Sequence, residues 1–314
     1  MSSAPPVPAP AIPEAAPGVK PEGRGGGWIV RITVLVIVVL WLIPALGVLT
    51  TSLRPEALAD STGWWTALAN PFDSSQWTLE NYSLALETEG FGNAFLNSLA
   101  VAIPSTVIPI AIAAFAAYAF SWMEFRGRET LFVVVVGLLV VPLQMALIPI
   151  LRLYVDGAQV GRFLLFPDLD LNGTFLGIWL AHAGFGLPLA IYLLRNYIGS
   201  LPSSLIESAR IDGADHFTIF WRLIVPLSVP ALAAFAIFQF LWVWNDLLVA
   251  YVFLGGTRAN QVVTIALANL VGSRGENWHL LTAAAFISMA LPLLVFFSLQ
   301  RYFVRGLTAG AVKG

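Results

Sequence analysis

The sequence predicts an all-α, polytopic membrane protein with six transmembrane helices. Three observations carry that reading. Hydrophobic residues make up 58% of the 314 positions, and the mean hydropathy is +0.81. Only 11% of residues are charged, against about 25% in soluble domains, because long apolar stretches exclude them. The 11 Trp and 21 Phe suit a chain with aromatic belts at two membrane interfaces.

The elements follow in order. Residues 1–27 are rich in Pro, Ala and Gly and cannot bury enough surface to fold, so a disordered tail is expected. The first apolar run starts at Trp28 and is full length for a span, which argues against a cleaved signal. Residues 28–314 then form one membrane domain. Its expected spans are Trp28–Leu49, Phe95–Phe120, Leu131–Leu151, Thr174–Leu194, Ala231–Leu254 and Leu280–Leu299. Each has about 20 residues, enough to cross a core of about 30 Å. Pro104, Pro109, Pro142, Pro149, Pro188 and Pro292 fall in or beside these spans and are expected to bend them. The small-residue run AIAAFAAYAF in the second span permits close helix contact.

Orientation follows from the basic residues. Lys20, Arg24, Arg31, Arg126, Arg128, Arg195, Arg210, Arg222, Arg301, Arg305 and Lys313 fall on one side; Arg54, Arg152, Arg162, Arg258 and Arg274 fall on the other. The positive-inside rule then places both termini in the cytoplasm.

Between the fourth and fifth spans lies a polar island, Leu201–Pro230, that must face water. Ser203 or Ser204 is positioned to cap a helix, with Glu207 completing a capping box. The helix should end near Asp212, with Gly213 at the bend. A second amphipathic segment carries Phe217, Phe220, Trp221 and Ile224 at helical spacing, and Pro226 and Pro230 mark the return to the membrane. The expectation is two short surface helices, either a plain connector or a docking element for a soluble partner.

Several polar or amphipathic groups sit at membrane depth. Asn245 and Asp246 interrupt LWVWNDLLVAY, and a carboxylate there must face protein or water. Trp242 and Trp244 are placed to stack on a sugar or to pack in protein. Gln144 and His182 complete the candidate translocation-path set. Each has a structural alternative, as a partner for a neighbouring helix.

The chemistry that is missing narrows the function. The chain has no cysteine, which excludes thiolate chemistry and Cys-based metal sites. His182, His216 and His279 match no ligand spacing. No basic cluster points to nucleic acid. There is no nucleophile–base constellation and no phosphate-binding loop, so energy for uphill transport would come from a partner or an ion gradient.

Certain segments carry a family resemblance. Glu207-Ser208-Ala209, Asp212-Gly213-Ala214, Phe220 and Val225-Pro226 resemble the EAA loop of permease subunits in binding-protein-dependent ABC importers. Ser208 stands where the pattern has its middle alanine and Val225 where it has leucine. VPLQMALIP, FQFLWVWNDLL and RYFVRGLTAGAVKG are similar to the carbohydrate-uptake, MalG-like branch, and the outer loops look most like α-glucoside permeases. The resemblance covers residues 29–314. It implies the type I importer permease fold (MetI-like) in a bacterial cytoplasmic membrane. It also implies a non-catalytic role, with ATP and Mg bound by a partner ATPase dimer. A second permease and an extracytoplasmic solute-binding protein would complete the machine, with a sugar as cargo, a di- or oligosaccharide such as an α-glucoside. The loop's Glu207, Ala209, Asp212, Gly213, Ala214, Phe220 and Pro226 would couple to the ATPase, and Gly306, Gly310 and Lys313 would form a flexible cationic end. The same machine carrying a polyol or glycerol phosphate, or an ion-coupled secondary transporter, are the alternatives.

Overall fold

The computed structural model describes residues 27–271 and 277–309. Residues 1–26 of the tail expected at 1–27 and the terminal residues Gly310 and Lys313 lie outside them, while Gly27 opens the first helix. The chain divides into two units, ending and beginning at Leu46 and Gly47. The first contributes the apolar run of α1 (Gly27–Ser52), which continues into the second.

Among the described residues, five helices are long and apolar enough to cross a membrane: α1, α5 (Phe91–Trp122), α8 (Phe175–Ile198), the stretch His216–Trp244, and α14 (Trp278–Ala309) through Gln300. A helix pair, α6 (Arg128–Gly137) with its extension to Val140, and α7 (Leu143–Asp156), is apolar enough only when taken together and is bent by 105°, the geometry of a broken span or a re-entrant loop. The straight third span expected from sequence is therefore corrected. Val141 precedes Pro142 and adopts extended φ/ψ of −71° and 117°, as a pre-proline residue prefers, and the helix stops there.

Short helices α2 (Glu56–Ser61), α3 (Trp65–Ala69) and α4 (Glu80–Glu87) follow α1. After α7 comes a hairpin that sequence reasoning did not anticipate, β1 (Ala158–Val160) and β2 (Phe163–Phe166), antiparallel. Gly161, at φ 62°, supplies its turn. Gly157 enters it at φ 65°, where a Cβ would stand 2.5 Å from the Phe166 carbonyl oxygen. Only glycine fits there.

The core of the second unit is built on α5 packed along α8. Near the N-terminal ends of α5 and α8, Val101, Ile178, Val243 and Trp244 meet α12 (Leu248–Leu254) and α13 (Val263–Leu270). At the opposite end of that pair, Ala117, Leu194 and Ile198 pack with Ile206, Phe220 and Ile224. A third cluster joins α4, α13 and α14 through Ala85, Val263 and Ala283.

The fifth span also departs from expectation. It starts at His216 as α10 (His216–Ile219), passes through a π-helical turn (Phe220–Ile224), and continues as α11 (Val225–Trp244). There is no second surface helix, because Ile219, Phe220 and Ile224 are buried against α5 and α8. Pro226 cannot donate to the Arg222 carbonyl and its ring would clash with it, so the turn ahead widens. The span ends at Trp244, and α12 resumes after a break at residues 245–247.

Candidate functional site

The loop after α8 is built around α9 (Ser203–Ile211). Its start corrects one expectation: Pro202 occupies the N-cap with no side-chain hydrogen bond, and Ser203 and Ser204 lie inside the first turn. The Leu205 amide donates to the Pro202 carbonyl at 3.2 Å. No capping box forms, and Glu207 is left exposed.

The end of α9 matches the sequence reading. Gly213, at φ 82°, donates its amide to the Arg210 carbonyl at 3.0 Å, and Ala214 donates to the Ala209 carbonyl at 2.9 Å. These two bonds make a Schellman motif, which requires a left-handed residue at Gly213. Ala209 and Ala214 are half-buried, while Asp212 and Gly213 are exposed. One face of α9 is anchored by buried Ile206. The other presents Glu207, with Leu205 and the 86%-exposed Ile211 also open to solvent. Phe220 is buried, stacked on Phe115 at 4.4 Å between ring centres, and Pro226 is exposed.

The contacts that fasten this loop were not found from sequence. Arg210 Nη2 donates to the Trp122 carbonyl at 3.3 Å, and Trp122 Nε1 donates to the Ile198 carbonyl at 3.2 Å. Tyr118 Oη lies 2.8 Å from His216 Nδ1. The last turn of α5 thus touches the loop on both sides of Gly213. Asp215 caps α10, accepting from the Thr218 amide at 2.8 Å. Those Thr218 hydrogen bonds hold its carboxyl below the usual 3.8. The signals were present but weak: Asp215 stands three residues before Thr218, and Tyr118 and Trp122 share a helix face.

The second set gathers at the α11–α12 break. Asp246 caps α12, its carboxylate accepting from the amides of Ala250 at 3.0 Å and Val249 at 3.3 Å. Its carbonyl accepts from Thr264 Oγ1 at 2.7 Å. His182 on α8 is fully buried, with Nε2 3.8 Å from Asp246 Oδ2 and its ring edge-on to Trp242. Trp244 is also buried and donates to the Ser288 carbonyl at 3.1 Å. Asn245 is exposed and Trp242 half-buried. Gln144 is exposed on the first turn of α7.

Residues 109–309 match the family described as binding-protein-dependent transport system inner membrane component. The chain belongs to that family. This permease is 61% identical to the osmoprotective compounds uptake permease protein GgtD of Synechocystis sp., over 90% of this chain and 91% of that one. It is 46% identical to the alpha-glucoside transport system permease protein AglG of Rhizobium meliloti, over 91% and 97%. Its fold resembles a chain of a bacterial ABC transporter involved in the import of the acidic polysaccharide alginate. That match has a TM-score of 0.69 and 20% identity, over 92% of this permease and 100% of that chain. The permease is thus an all-α, multi-pass membrane protein with the type I ABC importer fold, and a non-catalytic subunit.

Proposed function

We propose that this permease carries a small sugar, specifically an α-glucoside, across a bacterial cytoplasmic membrane, driven by ATP hydrolysis on partner subunits. The observation that carries the coupling half is α9, a short helix whose inner face is anchored and whose outer face exposes Glu207 and Ile211. Residues 201–230 are the coupling loop. Within it, Glu207 and Asp212 supply charge, and Ala209, Gly213 and Ala214 form the turn. Phe220 and Pro226 carry movement into the fifth span. An ATPase dimer holds ATP and Mg and receives α9. A second permease completes the pathway, and a solute-binding protein delivers cargo on the outer face. Residues 28–314 are the transmembrane domain, with both termini and the tail at 1–27 cytoplasmic, as the basic residues favour.

The cargo half rests on the relatives. One relative is named for alpha-glucosides and another for osmoprotective compounds. A small uncharged glucoside satisfies both descriptions. The second name favours a polyol-type osmolyte as the next reading. Among the path candidates, Gln144 and Asn245 are exposed and Trp242 is half-buried, which favours them for cargo contact, whereas His182 and Trp244 are buried and Asp246 caps a helix.

Uptake of labelled α-glucosides into vesicles holding the complete importer tests both halves. ATP-dependent accumulation, cut roughly tenfold by Glu207→Ala at equal expression, is expected for loss of a contact of about 1.4 kcal/mol. Uptake that ignores ATP but follows an ion gradient would return the chain to the secondary-transporter reading.

A further inference from the structure

We propose that one internal water, bound between His182 and Asp246, pins α12 to α8 and holds the α11–α12 break as a fixed joint. His182 is 0% exposed, and neither ring nitrogen has a hydrogen-bond partner among the described residues. A buried imidazole without a partner is costly unless something satisfies it. The nearest acceptor, Asp246 Oδ2, lies 3.8 Å from Nε2. That is too long for a direct hydrogen bond and within reach of a water bridge.

The space between them has the right size and lining. A cavity of about 10 Å³ is bounded by His182, Asp246 and Ser98, with Val101, Val243 and Val262 closing it. One water needs about that much room and two to four polar partners. Here Nε2–H donates to the water, and the water donates to Asp246 Oδ2. Ser98 Oγ already accepts from the Val263 amide at 2.8 Å, and its proton remains available to the same water. The three valines leave no room for a larger ligand.

The position gives the water its consequence. Asp246 caps α12 through its carboxylate and holds α13 through its carbonyl and Thr264. Ser98 on α5 holds the first turn of α13. The water therefore ties α5 and α8 to the one carboxylate on which α12 is built. Without it, the first turn of α12 is held to α8 by apolar packing, since the Gly173 amide, donating to the Phe253 carbonyl at 2.7 Å, fastens only the far end of α12, and the break becomes a hinge. His182 is accordingly a positioning residue, acting through Asp246.

The test uses the full chain with its partner subunits in lipid nanodiscs. A high-resolution map should place a water peak within hydrogen-bond distance of both His182 Nε2 and Asp246 Oδ2. Resolved side chains with no peak between them would overturn the proposal. Hydrogen exchange gives an independent readout that does not need cargo. His182→Leu should speed exchange of the Val249 and Ala250 amides by about tenfold, the scale of one lost charge-assisted hydrogen bond. His182→Gln keeps a donor and an acceptor and should stay close to wild type. Equal exchange in both variants would contradict a water-bridged pin, whatever the transport assay gave.

Discussion

Arg54 is a cation held inside the protein by neutral acceptors. It is 1% exposed, and Nη1 donates to the Thr62 carbonyl at 3.0 Å while Nη2 reaches Thr66 Oγ1 at 3.1 Å and the Thr62 hydroxyl. Burial pushes its pKa down from the ordinary guanidinium value. Asn81 closes the same knot, donating to the carbonyls of Ser52 at 2.9 Å and Arg54 at 2.8 Å. Arg54→Ala should therefore cost about 3 kcal/mol, read as a lower melting temperature of the purified permease. Arg54→Lys should recover only part, because a lysine lacks the planar fork that serves two threonines. Unchanged melting would mean that the knot holds without the cation. Asp215 gives a pH dependence. Its folded pKa lies below 3.8 because Thr218 hydrogen bonds favour the charged form. The stability it contributes is fully present above the unfolded value and is lost as pH falls through the folded one. Protection of the Thr218 amide against exchange, taken relative to its intrinsic rate, should thus be constant well above 3.8 and fall below it, and Asp215→Asn should remove the transition.

At the scale of elements, three spans cross at one point. Gln239 of α11 is fully buried, with Nε2 donating to the Ser105 carbonyl of α5 at 3.2 Å. A Cβ added to Gly186 of α8 would stand 2.7 Å from both amide atoms of that glutamine. Gly186→Ala should therefore force the amide aside and destabilise the bundle by about 1–3 kcal/mol. Gln239→Ala removes the obstacle, so the double variant should be more stable than the sum of the two single effects allows. Strict additivity in a melting series would mean that the contact is not made. This crossing was invisible in the sequence, because Gly186 and Gln239 carry no local pattern that names their partner. The Gly213 turn was legible, since a glycine after an amphipathic run has a local meaning. The widened turn before Pro226 and the break before Pro142 were half legible. Proline announces a disturbance, but packing decides whether it becomes a kink, a π-turn or a 105° bend. The capping box failed for a comparable reason: Pro202 started the helix ahead of both serines.

For the whole molecule, the spans were legible because a bilayer imposes a fixed apolar length that any sequence must show. What joins them was not. Tyr118 and His216, or His182 and Asp246, meet only because α5, α8 and the fifth span share a core, and apolar periodicity does not say which faces will meet. We propose that α9 is where this permease meets an ATPase subunit. The chain has no cysteine, so a single introduced thiol is its only site for a thiol-directed cross-linker. Glu207→Cys, and Trp65→Cys on the exposed α3 as a control, should be cross-linked in native membranes and the adducts identified by mass spectrometry. An ATPase subunit is expected on the Glu207→Cys variant and none on Trp65→Cys. An ATPase on neither position, or on both alike, would contradict the proposal.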